Sequence, residues 1–149
     1  YVALVRDHFF NLGTVEPGKE KISLYRINTL RRCFGGMELK ISTEVNKGIL
    51  TIRLAGEFDM ASAESFRHTV DDALDVSGAK NILLDMRHVT FVDSSGIGAI
   101  IGRYKRVLAL GGRVVACSLQ PQVARMLEMS GLFRIINWHT TEAEALHQF

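Results

Sequence analysis

Asn81-Ile82-Leu83-Leu84-Asp85-Met86 runs on through Arg87, His88, Val89, Thr90, Phe91 and Val92 into Asp93-Ser94-Ser95-Gly96-Ile97-Gly98. Three consecutive branched apolar side chains mark Asn81 to Met86 as a strand covered on both faces, not one with a wet side. Such a strand belongs at the centre of its sheet. The short polar quartet Asp93 to Gly96 then punctuates the chain. After it, Ile97, Ile100, Ile101, Tyr104 and Leu108 recur at the spacing of one helical face, with Arg103, Lys105 and Arg106 pointing outward. A buried strand that leads directly into an amphipathic helix is the repeating step of an α/β fold.

Working outward from that step, Leu39, Ile41, Thr43 and Val45 alternate, Asn46-Lys47-Gly48 supplies a turn, and Leu50, Ile52 and Leu54 alternate again, which predicts a β-hairpin. Beyond Gly56-Glu57-Phe58-Asp59, the residues Phe66, Val70, Ala73 and Leu74 fall on one face of a helix of about four turns. On the other side, Gly111-Gly112 stops the second helix, Arg113 to Ser118 reads as a strand, and Pro121 to Met129 as a short helix capped by Gly131. Met126 to Met129 reads as core. Ile135 to Trp138 suggests a last short strand, and Thr141 with Glu144 forms a capping-box pattern ahead of a terminal helix carrying Ala145, Leu146 and Phe149. The expected architecture is α/β: an opening β-hairpin, then alternating strands and helices, giving a mixed β-sheet with helices packed on it. Residues 37–149 form that domain. Residues 1–36 show no sustained period and end in Arg31-Arg32-Cys33-Phe34-Gly35-Gly36, so they are expected to be an N-terminal extension, flexible or not native.

Composition narrows the function classes. The chain has 149 residues, 47% hydrophobic and 23% charged, with only 2 prolines, which is one globular domain's worth of chain and too apolar for disorder. No run approaches the roughly 18 apolar residues of a membrane span, and residues 1–36 lack the apolar centre of a signal peptide. A cytoplasmic protein without a membrane partner is expected. Cys33 and Cys117 show no metal-ligand spacing, so neither a disulfide framework nor a zinc site is indicated. The net charge of +2 divides unevenly: residues 1–36 hold 6 Lys/Arg against 3 Asp/Glu (+3), and residues 37–149 hold 12 against 13 (−1). A near-neutral domain has no electrostatic footprint for nucleic acid.

Motifs for catalysis are incomplete. Val92 stands two residues before Ser94, so no Gly-x-Ser-x-Gly elbow exposes a hydrolase serine. Gly96-Ile97-Gly98 with Gly102 departs from the dinucleotide spacing, and no Gly-x-x-x-x-Gly-Lys occurs. A small nucleotide-binding or hydrolytic enzyme using Gly96 to Gly102 and Ser94 is the weaker alternative. Asp93-Ser94-Ser95-Gly96 carries two readings. Asp93 or Ser94 can cap the following helix. Equally, a serine at a helix N-terminus is an exposed phosphoacceptor, whose phosphate would meet unpaired N–H donors and the positive end of the helix dipole. Gly56-Glu57-Phe58-Asp59 divides similarly, with Asp59 as an N-cap or Glu57 and Asp59 as an acidic contact patch.

Four motifs together, Gly56-Glu57-Phe58-Asp59, Phe91 to Gly98, Gly102-Arg103-Tyr104-Lys105 and Met129-Ser130-Gly131-Leu132-Phe133, resemble the STAS-domain anti-sigma factor antagonists in order and spacing. The resemblance spans about residues 37–149 and looks most like the sporulation branch, the anti-sigma F factor antagonists. It implies a non-enzymatic switch without a cofactor. The unphosphorylated form would bind an anti-sigma F factor, itself a serine kinase, and release sigma F. Phosphorylation would fall on Ser94 and be reversed by a PP2C-type serine phosphatase. Gly56, Glu57, Asp59, Thr90, Asp93, Ser95 and Gly96 match the partner-binding positions that the resemblance implies. The chain departs from the branch at Met60-Ala61, where sporulation members often carry a His pair, and in the residues ahead of Met37. A STAS module of another pathway, such as a general stress anti-sigma antagonist, is the alternative.

Overall fold

Lys47 and Gly48, with φ of 49° and 76°, close a two-residue turn whose backbone twist suits a β-hairpin. They join β2 (Lys40–Asn46) to β3 (Ile49–Phe58) in antiparallel register, Asn46 opposite Ile49. The computed structural model describes Ile22–Leu24 and residues 37–149. Ile22–Leu24 form a three-residue strand, β1, antiparallel to β2; the remainder of the 1–36 extension lies outside the described residues. After the hairpin come α1 (Met60–Ser77), β4 (Asn81–Val92), α2 (Ser94–Ala109), β5 (Val114–Cys117), α3 (Pro121–Met129), a 3-10 turn (Leu132–Arg134), β6 (Asn137–His139) and α4 (Glu142–Leu146). The sheet order is β1-β2-β3-β4-β5-β6, antiparallel up to β3 and parallel from β3 to β6.

β4 has both faces covered, as its unbroken apolar run requires. Ile82 and Leu84 enter the main core with Phe66, Val70 and Leu74 of α1, Ile100 and Val107 of α2, and Val123 and Leu127 of α3. Leu83 packs on the opposite face with Val115, Cys117 and Ala145 of α4. Three helices therefore cover one face and α4 the other.

Two elements run further than periodicity indicated. α1 has 18 residues, five turns instead of four. β4 continues to Val92, because two register shifts against β3, between Arg53 and Ala55 and between Gly56 and Glu57, replace simple alternation with buried residues at Met86, Val89 and Val92. Such bulges defeat a search for a period of two. Arg103 and Arg106 do not form an open solvated face. Arg106 Nη1 donates to Asp71 Oδ1 at 2.6 Å and its Nη2 pairs with Asp75, while Arg103 Nε stands 3.2 Å from Asp71. The Asp71 hydrogen bond leads the upward shift of the Arg106 pKa. This network ties α1 to α2. Leu108, read as inward, is 56% exposed, and Met129, read as core, is 82% exposed.

Cys117 has no solvent exposure, and burial pushes its thiol up to about 11 from 9.0. The folded state therefore holds this proton more tightly than the unfolded chain. Its contribution to stability is complete below pH 9 and is lost as pH rises towards 11. Urea midpoints measured across that range will fall more steeply for the wild type than for Cys117→Ala.

Candidate functional site

The carboxyl ends of β3 and β4 lie side by side, Phe58 opposite Val92, and each strand delivers its next residue as a helix cap. Asp59 caps α1. Its Oδ1 accepts from Ala61 N at 3.1 Å and Ser62 N at 3.2 Å, and Ser62 Oγ accepts in return from Asp59 N at 3.0 Å. Asp93 caps α2, with Oδ1 accepting from Ser95 N at 2.8 Å and Gly96 N at 3.1 Å. Its second oxygen does something else. Asp93 Oδ2 accepts from Met60 N, the first residue of α1, at 3.1 Å. Asp93 N in turn donates to Phe58 O at 3.1 Å. One carboxylate thus satisfies orphan donors of two helices, which a single cap ordinarily does for one.

Ser94 is the first residue of α2 and is exposed, and its hydroxyl makes no hydrogen bond to a described residue. Asp93, not Ser94, is the cap. The donors of Ser95 and Gly96 are already taken by Asp93, so a phosphate on Ser94 would not meet them unpaired as the sequence suggested. It would project outward, beside an existing negative charge.

The other expected positions divide into surface and support. Thr90 is exposed, and Glu57 and Ser95 are half-buried. Gly56 and Gly96 are buried and act through backbone packing. Gly56 has φ of 111°, and a Cβ there would collide with the Glu38 carbonyl. A Cβ on Gly96 would stand 2.6 Å from Phe58 O, so only glycine lets α2 start this close to β3. Two exposed apolar side chains were missed from sequence: Phe91 (41%), opposite Glu57 in register, and Met60 (76%), whose amide Asp93 holds. The signal for Phe91 lay in the far half of β4, hidden by the bulges. Among the described residues no group of three His, Cys, Asp or Glu could hold a metal ion, and no helix is long and apolar enough to cross a membrane.

The family model for the STAS domain matches residues 40–145. The chain belongs to the STAS family. Within it, the chain is 39% identical over 110 residues to the anti-sigma F factor antagonist of Paenibacillus polymyxa, covering 74% of this chain and 94% of that one. The solved structure of the anti-sigma factor antagonist SpoIIAA in its unphosphorylated form is similar with a TM-score of 0.64 and 29% identity, over 72% of this chain and 94% of that one. The Bacillus cell fate determinant SpoIIAA in its phosphorylated form is similar with a TM-score of 0.58 and 28% identity, over 72% and 97%. The mixed sheet with its helices is the STAS fold, and the chain is an anti-sigma factor antagonist of that family.

Asp93→Ala removes acceptors from two helix starts and is expected to cost about 2 kcal/mol, at the upper end for one cap. Amide exchange in the variant should accelerate at Met60 as well as at Ser95 and Gly96. Acceleration at Ser95 and Gly96 alone would mean that the bridge to α1 carries no stability.

Proposed function

We propose that this STAS protein is a phosphorylation-switched anti-anti-sigma factor of sporulation. Its unphosphorylated form binds an anti-sigma F factor that is a serine kinase, and sigma F is released. Phosphorylation of Ser94 turns binding off, and a PP2C-type serine phosphatase turns it on again. The observation that carries this reading is the Ser94 hydroxyl, exposed and without a hydrogen bond to a described residue, at the start of a helix whose neighbouring amides Asp93 holds still. The name of the Paenibacillus polymyxa relative and the phosphorylated state of SpoIIAA support the same reading.

The chemistry asks little of this chain. The kinase supplies ATP, Mg²⁺ and the base; the Ser94 oxygen attacks the γ-phosphorus, its proton passes to the base, and ADP leaves. Phosphorylation adds about −1.5 to −2 charge. That charge sits next to the Asp93 carboxylate, so covering both with a partner surface carries a desolvation cost on top of their mutual repulsion. The contact surface comprises Ser94, Thr90, Glu57 and the edge of Asp59, Asp93 and Ser95, with Phe91 and Met60 as apolar anchors. Gly56 and Gly96 shape it from beneath. The protein acts as a regulator in the cytoplasm, and its output is binding.

Incubation with a sporulation anti-sigma kinase and Mg-ATP, followed by intact-mass analysis, should add one phosphate to wild type and none to Ser94→Ala. Ser94→Ala should retain kinase binding, and Ser94→Asp should lose at least tenfold in affinity by calorimetry. Wild-type affinity in Ser94→Asp would refute the charge mechanism.

A further inference from the structure

Parallel strands β5 and β6 are neighbours, yet the chain leaves them in opposite directions. After β5 it rises into α3, which packs with α1 and α2; after β6 it drops into α4 on the other face. Where successive connections part in this way, a crevice opens outside the carboxyl ends of the strands, the place where open α/β sheets bind ligands. Here it is a cavity of about 470 Å³, lined by Arg87 after the middle of β4, by Ser118, Gln120 and Pro121 after β5, and by Thr140 and Thr141 after β6. It is separate from Ser94 and owes nothing to the phosphorylation reading.

The lining favours an anion. Arg87 contributes a guanidinium that is more than half exposed, and its nearest carboxylate, Asp85 Oδ2, is 3.9 Å away. Asp85 is itself buried, with Oδ1 accepting from Arg87 N at 3.0 Å. Of the other acids close by, Glu142 is engaged with Arg53 at 2.9 Å, and the Glu144 carboxylate stands at the rim, 3.4 Å from Thr141 N. α3 is nine residues long and begins at the crevice without a side-chain cap, because the Gln120 amide donates to Arg87 O at 2.9 Å instead. Its dipole adds positive potential to that of the guanidinium. Hydroxyls of Thr140 and Thr141 supply further donors.

We infer that this crevice binds a small phosphomonoester, with Arg87 and the start of α3 on the phosphate and the hydroxyls of Thr140 and Thr141 on the organic part. The crevice is open to solvent and leaves room beside the phosphate for an organic part. Amide NMR titrations of the unphosphorylated protein with glycerol 3-phosphate, inorganic phosphate and acetate test this. Glycerol 3-phosphate should give saturable shifts at Ser118, Gln122, Val123, Thr140 and Thr141, and inorganic phosphate the same shifts at about tenfold higher concentration, a difference of about 1.4 kcal/mol. Acetate should bind more weakly still. Arg87→Gln should weaken the ester at least tenfold while the remaining spectrum is unchanged, and Thr140→Val should weaken the ester but not inorganic phosphate. Absence of saturable shifts at millimolar ester, or equal affinity in Arg87→Gln, would overturn the site. Equal affinity for ester and free phosphate would overturn the assignment of the organic part.

Discussion

The Asp93 carboxylate is the constraint on which the end of the molecule that carries Ser94 depends. Two helices start within one strand spacing of each other, and each presents unpaired N–H groups at its tip. Oδ1 takes the donors of α2 and Oδ2 reaches Met60 of α1, while the Asp93 amide is held by Phe58 O. The carboxylate therefore fixes the distance between the helices, and the serine that follows it, at a set place on the surface. Gly96 completes the arrangement by omitting the Cβ that would push α2 off β3. Ser94 is left exposed on that frame, its hydroxyl without a hydrogen bond to a described residue.

Further along the same two helices, a second electrostatic contact repeats the tie. Arg106 grips Asp71 and Asp75, and Arg103 approaches Asp71 from the side. The two pairs with Asp71 are partly buried and are screened less by salt than the exposed Arg106–Asp75 pair. α1 and α2 are thus clamped at their N-termini through backbone donors and near their C-terminal halves through side chains. The Ser94 surface therefore belongs to a paired unit, not to two independent helices.

Much of this was legible in the sequence, for reasons that differ by element. The Ile82-Leu83-Leu84 run demanded cover on both faces, and β4 has it. Pro121 fixed the start of α3, and Thr141 with Glu144 the start of α4. Asp59 was recognisable as a cap, and Asp93 as one of two cap candidates with Ser94, because capping is local. What the sequence could not reveal is long-range: the bond from Asp93 to Met60 joins residues 33 apart, and the Asp71 and Asp75 partners of Arg106 lie on another helix. An apolar stripe locates a helix's inner face but says nothing of the charges that meet its flank. The outer half of β4 escaped for another reason, since its bulges break alternation and so hid the exposure of Phe91.

The order of strands in the sheet has a kinetic meaning. Among the described residues every strand after β1 pairs with the one before it in the chain, so none of them has to insert between two that are already joined. Closing only neighbouring segments keeps loop-closure costs below those of inserting a strand between two others. During synthesis the hairpin can form first, and each later strand then adds to a finished edge as it emerges. The three-residue β6 comes last, leaving little unpaired edge for another chain to join.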